Sequence, residues 1–480
     1  MGLTTSLNTA LTGLSAAARA TDVVSSNIAN AQTDGYGRRS LSLGTSVSTA
    51  GVRVTGVLRQ SDVALLAERR LAEATEAGND VTLKFISAVE DILGAAEDDT
   101  SLAGRVAALD SALIQAVGSP DSDSALDAVV TAADSLTDLL NAATTAVQTA
   151  RQTADQDIAS QVATLNSTLS RLADLNDQIV RYTSQSRDTS ALLDQRQQLI
   201  DGISQIVPLR EVARENGQIS LYTLAGVTLV DGGYAAEIGF SRTTVITADM
   251  TIGSGALSGL TVDGRTVSTT SNGGFAGGTL AAAFAVRDEL APSVQKNLDA
   301  VARDMIERFT EADTTLAAGQ AGLFTDAGAA FDPTTEVGLA GRIAVNPAVD
   351  PSQGGELWHL RSGIGATAAG AAGDSSQLSA LSVALTAGRL TASGGLEPGS
   401  RSLSGLASDV MSAVARQRLT AESTASYSSA RAETLRSTEA EMGIDTDVEL
   451  QNLMLIEQAY AANAKVISAI DQMFQTLLEI

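Results

Sequence analysis

The stretch LTTSLNTALTGLSAAARATDVVSSNIAN, residues 3–30, and its counterpart LMLIEQAYAANAKVISAIDQMFQTLL, residues 453–478, decide how this 480-residue chain folds. In the first, Leu3, Leu7, Ala10, Leu14, Ala17, Thr21, Val24 and Ile28 recur at steps of three and four. In the second, Leu453, Ile456, Tyr460, Asn463, Ile467, Ile470, Phe474 and Leu477 do the same. Such steps place a narrow apolar stripe on one side of an α-helix, the spacing of a coiled-coil seam. A helix with so narrow a stripe buries little against its own domain and is marginal alone. Each therefore needs a partner helix, either the other end of the chain or a copy in a neighbouring molecule. The pattern points to assembly rather than chemistry.

Working inward, the first helix is expected from Leu3 to about Asn30, stopping at Thr33-Asp34-Gly35, where Asp-Gly supplies turn chemistry. Residues 47–58, with Val47, Val52, Val54 and Val57 among small polar residues, read as extended. A long helical region follows over about 61–205. Inside it Leu126, Val129, Ala133, Leu136, Leu140, Ala143, Val147, Ala150 and Ala154 hold one heptad phase. Ile158, Val162, Leu165, Leu169, Leu172 and Ile179 hold another, offset by four residues, a stutter expected to unwind any supercoil locally. Asn176 falls in that second seam, where a polar residue fixes register at a cost in stability. Ser119-Pro120-Asp121-Ser122-Asp123 offers caps for the start of this helix.

After Pro208 the period becomes two: Ile219, Leu221 and Thr223 alternate, with turns at Ala225-Gly226 and Asp231-Gly232-Gly233, the texture of a β domain. Helix is expected again over about 279–318, interrupted at Pro292, then a looser proline-containing segment to about 370, then a helix over about 403–441. Thr446 to Glu449 reads as a capping box that launches the terminal helix, with Asp445 and Asp447 as first-turn acids. The expected fold is mainly α with an inserted β domain: terminal helices paired as a coiled coil, a long helical rod domain and an outer β domain. In numbers, 1–44 and 445–480 are the two halves of the terminal domain. The rod takes 45–207, 277–320 and 376–444, the outer β domain 208–276, and 321–375 is a loop and β segment of the outer domain or the rod periphery.

Composition narrows the partners. Acidic residues number 56 against 31 basic, a net charge of −25, with no Lys/Arg cluster that escapes the average. Nucleic acid and anionic membrane surfaces are not expected partners of such a chain. Aromatics are only 3%, so packing must come from small side chains on closely approaching helices. With no cysteine, disulfides, thiolate catalysis and thiolate metal sites are excluded. No 18-residue apolar run and no charged n-region appear, so neither membrane insertion nor a cleaved signal peptide is expected.

Nothing in the pattern asks for an enzyme, a cofactor or a metal. His359, the only histidine, stands beside the only tryptophan, Trp358, with no second histidine or cysteine to complete a ligand set. No G-x-S-x-G elbow or phosphate-binding G-x-x-x-x-G-K-[ST] loop occurs. The acidic runs Glu97-Asp98-Asp99 and Asp121 with Asp123 lack the glycine and glutamate positions of a calcium loop and read as solvated loops and helix starts.

Five stretches carry a resemblance. Ser25-Ser26-Asn27-Ile28-Ala29-Asn30 followed by Thr33-Asp34-Gly35-Tyr36-Gly37-Arg38 resembles the N-terminal signature of the bacterial flagellar rod, hook and hook-associated proteins. Gln458-Ala459-Tyr460-Ala461-Ala462-Asn463-Ala464-Lys465-Val466-Ile467 resembles their C-terminal signature. Leu192-Leu193-Asp194-Gln195-Arg196-Gln197-Gln198-Leu199, Gly277-Gly278-Thr279-Leu280 leading to Arg287-Asp288, and Val345-Asn346-Pro347 resemble the hook-associated branch.

The resemblance implies a self-assembling structural subunit at the junction of hook and filament. It implies contacts with its own copies, the hook protein and hook-associated protein 3. It further implies a cytosolic export chaperone on the C-terminal helix, passage through the flagellar type III export apparatus and an extracellular place in the flagellum. It marks Asn27, Asn30, Gly35, Tyr36 and Arg38 as a signature turn, with register or turn-fixing roles for Asn27, Asn30 and Asn463. Two other readings stand beside it: a hook or distal-rod subunit, and a surface adhesin or enzyme displayed on a coiled-coil stalk.

Overall fold

The structure, a computed structural model, describes residues 2–33, 35–45, 51–95, 97–270 and 272–478. Asp34 of the expected turn and Val47 of the expected extended segment lie outside the described residues. The chain runs α1 (Leu3–Ala29), β1 (Arg39–Thr45), β2 (Val52–Arg59), α2 (Val63–Leu93), α3 (Leu102–Gly118), α4 (Asp123–Ser184) and α5 (Ser190–Ser204). The helical region read as one stretch is thus four helices, each of the three longer ones opened by a short polar cap. Asp62 accepts from the amides of Ala64 and Leu65, Ser101 from Gly104 and Ser122 from Ala125.

Seven short strands follow: β3 (Leu209–Ala213), β4 (Ile219–Thr223), β5 (Thr228–Asp231), β6 (Tyr234–Ala235), β7 (Ile238–Gly239), β8 (Leu260–Val262) and β9 (Arg265–Val267). They form antiparallel sheets ordered β3-β4-β5-β6 and β7-β8-β9. The chain returns through α6 (Gly278–Ala285), a π turn over Val286–Leu290 and α7 (Ala291–Ala312). Pro292 stands in the first turn of α7 and has no amide hydrogen to give. Just before it, the amide of Ala291 reaches back five residues to the carbonyl of Val286. The helix therefore widens at the proline instead of breaking, and ends at Ala312, six residues short of the expected 318.

Beyond it come β10 (Phe324–Asp326), β11 (Ile343–Val345), α8 (Trp358–Ser362), α9 (Ser376–Thr386), β12 (Arg389–Leu390), β13 (Ser400–Arg401), α10 (Leu403–Glu441) and α11 (Thr446–Leu478). Trp358 and His359 stack at 3.7 Å, and the His359 ring nitrogen lies 3.4 Å from the Gly363 carbonyl.

α4 is the spine: 62 residues at 1.5 Å each give about 93 Å. Both heptad phases read from the sequence point inward, and apart from half-buried Ala150 every position of them is buried. At the four-residue offset between them the inward sites hold Arg151 and Asp155, one turn apart and both buried. The helix continues through this point without interruption. The stutter is where a polar cluster enters the core.

Three asparagines on α4 carry the β elements. Asn176 is fully buried, donates to the carbonyls of Ile219 (3.0 Å) and Gly232 (2.9 Å), and accepts from the amide of Ile219. Asn166 donates to the carbonyl of Ile238 at 2.8 Å and accepts from its amide at 2.9 Å. Asn141 donates to the carbonyl of Ile343. Asn176 therefore docks the start of β4 rather than fixing a helix–helix register, because its amide matches the donor and acceptor of Ile219.

α2 and α10 pair antiparallel, which brings residues from opposite halves of the chain together. Arg436 donates to Glu73 (2.9 Å) and Glu76 (2.6 Å), and Asn79 to Ser428 (3.0 Å). The contact stripe of α10 is Ala425, Ser428 and Ala432, small residues at helical spacing. Where the start of α6 passes the segment that follows α5, Gly277 and Gly278 hold φ of +86° and +70°. A Cβ on Gly278 would lie 2.4 Å from the carbonyl oxygen of Ile206. Only glycine fits that approach.

Candidate assembly interface

α1 and α11 lie antiparallel against each other. Asn27 near the end of α1 meets Glu449 at the start of α11, and Gly13 meets Asn463. A Cβ on Gly13 would stand 2.9 Å from the Asn463 amide, so the helices touch closely there. Along the stripe Val24 and Ile470 are buried, as are Ala10 and Ala17, while Leu3, Leu7, Leu14, Ile28, Leu453, Ile456, Asn463, Ile467 and Phe474 are half-buried. Tyr460 is 45% exposed and Leu477 59%. Leu477 overhangs for a geometric reason: the pairing of 27 with 449 and 13 with 463 puts it beyond Leu3, where α1 begins.

Away from this contact α11 stays apolar. Met454, Leu455 (63%), Val466, Met473 and Leu478 (86%) are exposed, as is Leu11 on α1.

The base of the pair is held by a polar knot. Asn27 is fully buried and uses its whole amide: it donates to the carbonyl of Arg39 (2.8 Å) and to Glu449 Oε2 (3.3 Å), and accepts from the Tyr36 hydroxyl (3.1 Å) and the amide of Arg39 (3.0 Å). Glu449, also buried, takes Arg38 Nε on its other oxygen at 2.7 Å. Burial pushes the Tyr36 hydroxyl above its ordinary value, against the opposing pull of Arg39, so it stays a neutral donor.

The capping box read at Thr446 to Glu449 is therefore corrected. Asp445 caps α11, accepting from the amides of Asp447 and Val448, and Glu449 reaches across to the other end of the chain. The three acids at the start of α11 thus divide into a cap, Asp445, an exposed residue, Asp447, and a buried partner, Glu449.

A second ring of contacts fixes the turn to α5. Asp194 accepts from the amide of Gly37 (3.0 Å), from Arg39 Nη2 (2.6 Å) and from Arg59 Nε (2.6 Å). Arg59 also donates to the carbonyl of Gly35 and to Gln197. Gly35 has φ +74°, the left-handed conformation glycine supplies. A Cβ on Gly37 would lie 2.5 Å from Arg59 Nε, so a side chain there would push the guanidinium off Asp194. Asn30 is the C-cap residue of α1, donating to the carbonyl of Ser26.

The two end signatures and the stretch from Leu192 to Leu199 thus meet in one place. Sequence reading found the first two but had no signal for Asp194 and Arg59 as partners, because the link spans 135 residues.

A separate cluster joins α4 and the π turn to the loop between β7 and β8. Asp155 and Arg287 pair at 2.6 Å with both side chains fully buried. Asp155 also accepts from the amide of Thr243, Arg287 donates to the carbonyl of Ser258, and Arg151 donates to the carbonyls of Arg287, Thr247 and Met250. Among the described residues no group of three or more His, Asp or Glu is placed to hold a metal ion, and no helix is long and apolar enough to cross a membrane.

Residues 86–324 match the family described as the flagellar hook-associated protein FlgK helical domain. Residues 7–36 match the flagella basal body rod protein family and residues 440–480 the C-terminal family of the flagellar basal body rod FlgEFG proteins. Flagellar hook-associated protein 1 of Salmonella typhimurium is 28% identical over 264 residues, 52% of this chain and 47% of that protein. The chain thus matches about half the length of such relatives. Flagellar hook-associated protein 1 of Bacillus subtilis is 24% identical over 514 residues, 98% of this chain and 97% of that protein. The flagellar hook junction protein FlgK from Burkholderia pseudomallei aligns with a TM-score of 0.42 and 20% identity, covering 54% of this chain and 46% of that one. Both ends and the helical region between them thus match flagellar protein families, and the chain is similar to flagellar hook-associated protein 1.

Proposed function

We propose that the chain is a non-catalytic structural subunit of the bacterial flagellum, placed outside the cell where hook and filament join. The observation that carries this is the α1–α11 pair, held at its base by Asn27, Arg38 and Glu449 yet exposing Leu455, Met454, Val466 and Met473 along its length. A pair that leaves so much apolar surface uncovered is completed by neighbours in a lattice.

In this reading residues 1–44 and 445–480 form the assembly module, with seam positions Leu3, Leu7, Leu14, Val24 and Ile28 against Leu453, Ile456, Asn463, Ile467, Ile470 and Phe474 in a coiled coil. Residues 45–207, 277–320 and 376–444 form the rod, and 208–276, with 321–375 beside it, the outer face. The partners are copies of the chain, the hook protein and hook-associated protein 3. Export runs through the type III apparatus without a cleaved signal, a chaperone covering α11 beforehand. The helical block that matches residues 86–324 favours this over a hook or distal-rod subunit.

Deleting residues 450–480 tests the reading by removing the partner of α1. Cells carrying the truncated chain are expected to keep bare hooks and shed filament subunits into the medium, with the helices from α2 to α10 retained by circular dichroism. Normal filaments on those cells would refute it.

A further inference from the structure

α10 is held in two different ways along its length. From Leu403 to Val414 its apolar face is buried in the core, and Ala425, Ser428 and Ala432 are buried further along. After Ala432 none of its residues is buried, and only Leu435, Arg436, Thr438 and Glu439 are half-buried. The end of the helix is therefore fastened mainly by charge. Arg436 reaches Glu73 and Glu76 on α2, and Glu439 meets Arg69 at 2.5 Å.

The cluster is short of cations. Arg69 also serves Glu73 and Asp201 of α5, Arg70 serves Asp201 and Glu211 of β3, and Arg436 has Glu433 beside it at 3.6 Å. Asp80 faces Glu76 one turn away on α2, and the one further guanidinium acting here, Arg196 of α5, acts on Glu211. Carboxylates thus outnumber guanidiniums. Burial pushes the Glu439 carboxyl above its ordinary value, Asp201 and Glu73 add to the push, and Arg69 and Arg70 oppose it.

The helix end also has room to move. Glu439, Met442, Gly443 and Ile444 line a cleft of about 770 Å³ together with Gln60, Ser61 and the first turn of α2. We infer that residues 433–444 form a latch between the body of the chain and α11, which closes on α2 and α5 as the cluster takes up a proton and loosens when all its carboxylates are ionised. A carboxyl raised in the closed state binds its proton more tightly there than in the open one. Closure therefore gains as pH falls towards the ordinary value of an exposed glutamate and loses that gain as pH rises past the raised one. The link runs directly into the first turn of α11, where Glu449 joins Asn27 and Arg38, so the latch sets how firmly the terminal pair is anchored.

Hydrogen exchange of the intact chain tests this, read as protection relative to the intrinsic exchange rate at each pH. Protection of residues 433–441 is expected to rise severalfold from about pH 7 to about pH 5, while that of the α4 core stays level. Glu439→Gln is expected to show the higher protection already at about pH 7 and to lose the pH dependence. Glu433→Gln, on an exposed side chain of the same helix end, is expected to behave as the parent chain does. Protection that is equal at both pH values, or lower in acid, overturns the inference. So does a Glu439→Gln chain whose helix end is looser than the parent's near neutrality, since the ion pair with Arg69 would then outweigh the excess of acids.

Discussion

Replacing Asp194 with alanine is expected to speed hydrogen exchange of the turn at residues 35–39 about a hundredfold, because about 3 kcal/mol of local stability is lost. The carboxylate is the single acceptor shared by the Arg39 and Arg59 guanidiniums and the Gly37 amide, each within 3.0 Å. Its removal strands two cations in a site where all three side chains are largely buried. Desolvated charges without a partner cost far more than the pair itself contributes, which is why the loss falls at the lower end of that for a broken buried ion pair.

The damage stays local. The core around α4 does not depend on Asp194, so global denaturation is expected to shift little while the turn and the hairpin open more often. Asp194→Asn is expected to fall between, since an amide oxygen still accepts but its NH₂ opposes a guanidinium. An unchanged exchange rate in the turn would show that Asp194 does not hold the turn to α5.

Arg287→Met is expected to lower global stability by about 3–5 kcal/mol in chemical denaturation. Asp155 would be left charged and fully buried, keeping only the amide of Thr243 as a donor, and the carbonyl of Ser258 would lose its guanidinium. Here the loss is global, because the pair sits where α4, the outer loops and the π turn converge. Removing both charges, as Asp155→Leu with Arg287→Met, is expected to recover much of it, since apolar groups of similar volume replace buried ion pairs at small cost. A double variant as unstable as the single one would show that the hydrogen bonds to Ser258 and Thr243, rather than the paired charge, hold the outer loops.

The same cluster shows where the sequence was legible and where it was not. The α4 stripe could be read position by position because burial repeats at a fixed step, and the helix at 403–441 was legible as an element. The stutter was visible too, as a shift of phase, but its cause was not: Arg151 and Asp155 are ordinary surface residues by composition, and only the fold puts Arg287 opposite them.

Asn176 shows the limit of a local reading. Its place on the buried face was legible, but its partner is a strand backbone 43 residues on, so a role in helix register was inferred where a sheet is docked. Glu449 is the sharper case. Four residues that fit a capping box locally are divided by a contact with Asn27, 422 residues away, and no spacing rule reaches that far. Pro292 was read as an interruption, and the π turn that absorbs it depends on backbone geometry the residue alone does not specify.

Hydrogen exchange of the intact chain, free in dilute solution and inside purified flagella, tests the paired ends most directly. The α4 core is expected to be protected in both states. Residues 3–29 and 446–478 are expected to exchange rapidly in the free chain, where a two-helix contact is marginal, and to become protected in the flagellum, where neighbours cover Leu455, Val466 and Met473. Ends as protected in the free monomer as in the flagellum would contradict the account.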